Sequence, residues 1–272
     1  MNPIIYYRKS LMEKDELKAA EKYFSCCDLI TDIPEDSFVI SRFSLFPFYY
    51  DQQRELQNLN CKLISSYNQH QYIADLGNYI VDLEDLTPKT WSRLEDIPDD
   101  GTKFVLKGET NSRKNSWKTS MFAENKKQAI DVHGVLCNDS MIGNQKIYIR
   151  EFVPLYTYMN GINGMPVTKE YRFFVAYGKV LCGDYYWQNY VDDLPEKPDV
   201  NEVPQEFLAE VINRIGDKSN FYVVDVALTQ EGKWVVIELN DAQYSGLSCN
   251  DPDILYKSLK EILVSNASEI IV

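Results

Sequence analysis

Histidine is almost absent from this chain: only His70 and His133 occur among 272 residues. Both fall on segments that read as helices, where packing or surface roles are the ordinary ones. Neither a Ser-His-Asp set nor a Cys-His arrangement stands out. Cysteine is thinly spread as well. Cys26, Cys27, Cys61, Cys137, Cys182 and Cys249 form no C-x-x-C pair, which argues against structural zinc and for buried, reduced thiols. No apolar run approaches the roughly 20 residues that cross a bilayer, and residues 1–10 lack the apolar stretch of a secretory signal. The expectation is a soluble, cytoplasmic protein without membrane partners. The phosphate-cradling pattern G-x-x-x-x-G-K-[ST] is missing. Positive charge is also short: 28 Lys and Arg stand against 41 Asp and Glu, a formal net charge of −13. Such a protein repels a phosphate backbone at long range, so nucleic-acid binding is disfavoured. One stretch runs the other way: residues 103–127 hold seven basic side chains and two acidic ones.

The composition that remains is that of a globular protein, 44% hydrophobic and 25% charged, long enough for one large or two modest domains. Residues 1–90 alternate strand and helix. Strands are expected at 3–7, 37–41 and 61–65, helices at 12–24, 50–59 and 67–78, which suggests a small α/β unit with a parallel sheet. Residues 81–100 are acidic and carry Pro88 and Pro98, so they read as a connection. Beyond it come a strand at 103–107, a polar loop at 108–119, a returning strand at 120–123, a helix at 124–136 and a strand at 147–153. From 169 onward strands dominate. Hairpins are expected at 170–176 with 179–186 and at 221–228 with 233–239, with helices at 204–215 and 251–263.

Chemistry concentrates in the second hairpin. Asp225 interrupts an apolar strand, and Glu238 and Asn240, two apart, project from one face of the next. A carboxylate on such a strand is costly unless paired or metal-bound, and three oxygen-bearing side chains suit Mg²⁺. A cationic set complements them. Lys107 ends the strand Phe104-Val105-Leu106. The loop behind it holds Arg113, Lys114 and Lys118 among serines and threonines, which makes a phosphate lid. Glu170 and Arg172 share a strand face, and an arginine fixed there suits bidentate phosphate contact. Arg150-Glu151-Phe152-Val153 ends a strand before Pro154, where a carboxylate could meet a ribose hydroxyl.

In this order the features resemble the ATP-grasp superfamily: a strand lysine with a basic loop, a helix, a strand ending in Glu-Phe-Val, Glu-x-Arg beside a Gly-Lys turn, then Asp and Glu-x-Asn. The resemblance covers about residues 86–247. Thr87-Pro88-Lys89-Thr90-Trp91 is similar to the Pro-Thr type junction that leads into that family's ATP-binding region. Glu238-Leu239-Asn240-Asp241-Ala242-Gln243-Tyr244-Ser245-Gly246-Leu247 looks like a phage- and bacteria-associated clade for which RNA ligases have been predicted from genomic context. The resemblance implies an α+β ATP-grasp fold over residues 91–272, two α+β subdomains gripping ATP, with a lid subdomain at about 103–150 and a metal-binding one at 151–272. Residues 1–90 resemble the family's preceding α/β domain.

Carried over, the resemblance places Lys107 on the α- or β-phosphate and Lys114 or Lys118 in the closing loop. It puts Glu151 on ribose, Phe152 and Val153 beside adenine, and Glu170 among the nucleotide contacts. Arg172 would meet the γ-phosphate or the reacting intermediate, and Asp225, Glu238 and Asn240 would hold Mg²⁺. Lys107 and Arg172 would be the catalytic pair. The implied activity is an ATP- and Mg²⁺-dependent ligase joining a carboxylate to an amine through an acylphosphate, on a small-molecule or peptide substrate. Two other readings stay open: an RNA ligase with Lys107 as an adenylated nucleophile, and a catalytically silent nucleotide-binding module. Arg8, Arg42, Tyr185 and Tyr244 are candidates for a second-substrate site, although scattered polar and aromatic residues are more often structural.

Overall fold

Ile4-Ile5-Tyr6 and Phe38-Val39-Ile40 are short apolar runs buried on both faces, as strands of a covered parallel sheet must be. In the computed structural model, which describes residues 1–45 and 47–265, they form its centre. The elements are β1 (Asn2–Tyr6), α1 (Lys14–Glu21), β2 (Ser25–Cys27), β3 (Ser37–Ser41), α2 (Tyr49–Gln57), β4 (Lys62–Leu63), α3 (Tyr67–Ala74) and α4 (Leu76–Tyr79). The strands pair in parallel in the order β2-β1-β3-β4. Two details differ from expectation. The first helix is shorter than 12–24, and the edge strand β2 follows it. The helix expected at 67–78 breaks at Asp75, whose carboxylate accepts from the Gly77 amide at 2.9 Å and starts α4. Gly77 itself is required by close approach: a Cβ there would lie 2.0 Å from the Tyr148 hydroxyl.

Next come β5 (Thr90–Trp91), β6 (Phe104–Gly108), α5 (Trp117–Ser120), β7 (Phe122–Ala123), α6 (Lys126–Cys137) and β8 (Ile147–Glu151). They build an antiparallel sheet in the order β5-β8-β6-β7. Strand β5 lies inside the stretch read as a connection. Along β6 the side chains alternate: Phe104 and Leu106 pack with Ala129, Val132 and Leu136 of α6, which leaves Val105 and Lys107 for the opposite face. An Asn125 cap, accepting from the Gln128 amide at 3.1 Å, starts α6.

The remainder comprises β9 (Thr157–Asn160), β10 (Pro166–Thr168), β11 (Glu170–Ala176), β12 (Lys179–Tyr185), α7 (Gln205–Ile215), β13 (Phe221–Leu228), β14 (Trp234–Asp241) and α8 (Pro252–Ser265). Strands β9 and β10, not anticipated from the sequence, form a small antiparallel pair. The two expected hairpins join into one antiparallel sheet, β12-β11-β13-β14. Tyr177 and Gly178 both have positive φ, 48° and 70°, as a two-residue hairpin turn demands. One face of this sheet, with Tyr171, Phe173, Tyr222 and Val224, packs on α3, α4 and α7. The other face is divided. Phe174, Ala176, Phe221 and Val223 meet α8 and the parallel sheet, while Glu170, Arg172, Asp225 and Glu238 occupy the rest. A bulge between Asp225 and Val226, opposite Glu238 and Val236, leaves Ile237 as an extra residue.

Arg42, at the end of β3, ties the parallel sheet to the segment after β14. Its guanidinium donates to Glu16 at 2.7 and 2.9 Å, to the Ser245 carbonyl at 3.1 Å and to the Ala242 carbonyl; the Tyr256 hydroxyl reaches the same carboxylate at 2.7 Å. This guanidinium is buried and paired within the protein, so in this structure Arg42 braces the fold. The six cysteines are all free; Cys61 is buried, but Cys137 is exposed, contrary to the expectation of buried thiols. No helix among the described residues is long and apolar enough to cross a membrane. Arg42→Ala leaves Glu16 buried without its cation and is expected to cost about 3–5 kcal/mol. Urea unfolding measures it, and a loss below about 1 kcal/mol contradicts the assignment.

Candidate active site

Between the sheet of residues 90–151 and the charged part of the β11–β14 sheet lies a cleft of about 250 Å³. One end is apolar, with Val105, Met121, Phe152, Val153 and Leu155; the other is polar, with Lys107, Lys114, Glu170 and Glu238. Glu151 stands exposed at its edge. Seven of the residues singled out from the sequence therefore line one space: Lys107, Lys114, Glu151, Phe152, Val153, Glu170 and Glu238. Strand alternation accounts for several of them. Val105 and Lys107 share a face of β6, and the bulge turns Ile237 into the wall beside Glu238.

The Lys107 ammonium donates to the Glu238 carboxylate, joining β6 to β14 across the cleft. Burial pushes Glu238 up, but the charges of Lys107 and Lys114 and a hydrogen bond from Asn240 outweigh it and bring the carboxyl down to about 2. Burial pulls Lys107 below the ordinary lysine range despite Glu238. Behind this pair, Arg172 binds Asp225 through two parallel contacts of 2.8 and 2.7 Å and donates to the Gly246 carbonyl at 2.9 Å. Arg172, Asp225 and Glu238 sit side by side in register on β11, β13 and β14.

Lys114 donates to the Tyr186 hydroxyl at 2.6 Å and lies 4.0 Å from that ring's centroid and 4.8 Å from Trp187's. Burial lowers the Lys114 pKa, but Tyr186, Glu170 and Glu238 outweigh this and hold it above the usual value. Glu170 is fixed by one oxygen only. Oε2 accepts from Thr168 at 3.0 Å, and the buried Oε1 has no hydrogen-bond partner. Burial raises its carboxyl, with Lys114 pulling the other way.

Not every expected residue reaches the cleft. Lys118 is exposed, its Cε packed beside Gly164, so Lys114 is the loop lysine facing the polar end. Arg172, Asp225 and Asn240 are not among the lining residues, although Asn240 hydrogen-bonds Glu238 and Asp225 is in register with it. Among the described residues no three His, Cys, Asp or Glu side chains gather into a metal-holding group. The set named from the sequence has Asn240 as its third member, and both its carboxylates face cations. Of the second-substrate candidates, Tyr185 is buried with its hydroxyl on the Thr168 carbonyl at 3.1 Å, Tyr244 packs edge-on to His70, and Arg8 covers the rings of Tyr6 and Phe43. None of the three lines the cleft. His70 has the packing role expected, stacked on Tyr49 with Nδ1 2.9 Å from Asp241. Arg150, named in the sequence without a role, and Trp117, Tyr186 and Trp187, not singled out there, also stand at the cleft or the cavity beside it. Arg150 is buried and donates to Thr87 and to the carbonyl of bulged Ile237. Its signal was the arginine preceding Glu151, and that of the aromatic pair was its place directly after β12.

Comparison with known proteins agrees with this architecture. A family model described as an ATP-grasp domain, the third family of its clade, matches residues 98–259, more than half of the chain. Among curated proteins none matches. Solved structures resemble the chain over nearly its whole length. D-cycloserine synthetase DcsG is 12% identical with a TM-score of 0.61, covering 96% of this chain and 99% of its own. The ATP-grasp ligase PsnB, complexed with precursor peptide PsnA2 and AMPPNP, is 10% identical with a TM-score of 0.59 and 98% coverage of both chains. D-alanyl-alanine synthetase A from Vibrio cholerae is 11% identical with a TM-score of 0.57, covering 99% of this chain and 98% of its own. At these identities the likeness speaks for the fold, and the family match carries the assignment: the chain belongs to the ATP-grasp superfamily, in the clade which that family model represents.

Proposed function

We propose that the cleft binds ATP with Mg²⁺ and that the protein is an ATP-dependent ligase joining a carboxylate to an amine through an acylphosphate. The observation that carries this reading is the meeting of Lys107 and Glu238, from two different sheets, at the polar end of a cleft whose other end is apolar. The apolar end suits adenine, between Val105, Met121, Phe152 and Val153, with Glu151 at the edge for ribose. Lys107 and Lys114 supply cations for phosphates, and Arg172 stands next in line for the γ-phosphate. Glu238 and Asn240 offer neighbouring oxygens to a divalent cation; Asp225 would join them on leaving Arg172. Mg²⁺ supplies charge neutralisation on the phosphates when bound.

The chain's own groups suit the rest of the reaction. A substrate carboxylate oxygen attacks the γ-phosphorus and ADP leaves. An amine nitrogen then attacks the acyl carbon and phosphate leaves with the bonding pair. The amine proton needs an acceptor, and the unpartnered Oε1 of Glu170 is a free buried oxygen in the wall. Support also comes from the neighbours: PsnB is solved with Mg and ADP, and D-alanyl-alanine synthetase is named for joining two amino acids. The RNA-ligase reading draws less support. Part of the basic stretch is neutralised, since Arg113 pairs with Asp139 and Lys103 with Glu124, and Lys107 is engaged with Glu238.

Two results are expected. Glu238→Gln keeps the side chain's shape and should weaken Mg²⁺-dependent binding of AMPPNP by at least about 10-fold. Calorimetry with and without Mg²⁺ reads it, and equal affinities for both proteins would remove Glu238 from the metal site. Glu170 must be ionised to take a proton, so kcat/KM for the amine should rise with pH through the raised Glu170 pKa. Glu170→Gln should abolish that limb and slow formation of the joined amide product by about 10²–10⁴-fold. An unchanged pH profile in the variant rejects Glu170 as the base.

A further inference from the structure

A second, open cavity of about 530 Å³ adjoins the cleft. The two share Lys114, Met165 and Trp187, so one opens beside the other at the loop lysine. The inner wall of the second is aromatic, with Tyr186, Trp187 and Tyr190; its rim carries the exposed amide side chains of Asn115, Gln188 and Asn189. Among the described residues its lining includes no acidic side chain and one cation, Lys114. That cation sits at the junction. The Tyr186 ring contacts both this cation and Arg172, whose guanidinium carbon is 4.8 Å from the same ring centroid. Electrostatically, the cavity is neutral along its length and positive at its inner end.

We propose that this cavity holds the carboxylate-bearing substrate, and that this substrate is a peptide or N-acylated amino acid with a single carboxylate directed at Lys114. The inference rests on the ligase reading of the adjoining cleft. Side-chain amides donate and accept together, which matches peptide groups, and the rings offer stacking and apolar contact for the body of such a molecule. A nucleic-acid strand would need cations along its backbone, and the wall provides one. The carboxylate enters from this second cavity, where Lys114 at the junction meets it. One carboxylate oxygen forms a bond to the γ-phosphorus as the bond from that phosphorus to the bridging oxygen of ADP breaks. The electron pair departs on ADP, and no proton moves in this step.

The test uses the full chain with Mg²⁺-ATP and hydroxylamine, which traps an acylphosphate as a hydroxamate. The probes are N-acetyl dipeptides with free C-terminal carboxylates, the same peptides as C-terminal amides, and short RNA oligonucleotides with phosphorylated ends. Free acids should give ADP and hydroxamate above the amides. Asn189→Ala, an exposed change that does not threaten the fold, and Tyr190→Ala should each raise KM for the acid about tenfold, as loss of one hydrogen bond or ring contact does, with KM for ATP held within about twofold. Acids that behave like their amides, in a protein that binds Mg²⁺-AMPPNP, overturn the cavity assignment and leave the nucleotide site standing. So does ATP consumption driven by the RNA ends alone, or an acid KM insensitive to both variants. Absence of AMPPNP binding overturns the ligase reading itself.

Discussion

The ion pair between Lys107 and Glu238 is the contact on which the arrangement of the site depends. It joins β6 to β14 and so sets the two walls of the cleft face to face. Removing either partner leaves the other buried without its counter-charge, at a cost of about 3–5 kcal/mol. The sheets are further braced by Arg150, which reaches from β8 to Thr87 and to the Ile237 carbonyl at the bulge. Behind them Arg172 and Asp225 repeat the same solution one strand further in. Two neutralised pairs, Lys107–Glu238 and Arg172–Asp225, are thus held at the margin of an apolar sheet, with Lys114 and Glu170 beside them.

That arrangement is suited to exchange. Phosphates can take over the cations and a divalent ion the carboxylates, with each buried charge keeping a partner of opposite sign. The groups do not need to be assembled on binding, because they already stand in register across β11, β13 and β14. Lys114 extends the same logic sideways. It touches no carboxylate directly but rests on Tyr186 and Trp187, at the point where the cleft meets the second cavity. Nucleotide chemistry and the carboxylate substrate's site would then share one cation.

Much of this was legible in the sequence because strand periodicity is simple. Asp225 inside an apolar run, Glu238 and Asn240 two apart, and Lys107 closing Phe104-Val105-Leu106 each point to a face, and the structure brings Lys107, Glu238 and Glu170 to one cleft. What escaped detection depends on tertiary pairing. Strands β2, β5, β9 and β10 are two to four residues long and exist only because a neighbour supplies their hydrogen bonds. The bulge at Ile237 leaves no local mark in Val-Val-Ile-Glu-Leu. The choice of Lys114 over Lys118 turns on how a polar loop folds back on Tyr186, which spacing does not encode. Arg42 read as a possible substrate contact because its partners, Glu16 and the carbonyls of Ala242 and Ser245, lie 26 to 203 residues away in sequence.

The most direct check is a crystal structure of the chain with Mg²⁺ and AMPPNP. The nucleotide should lie with adenine against Phe152 and Val153, Lys107 should have moved from Glu238 to a phosphate oxygen, and Glu238 and Asn240 should ligate the metal. A nucleotide bound elsewhere, with the Lys107–Glu238 pair intact, contradicts the proposed site.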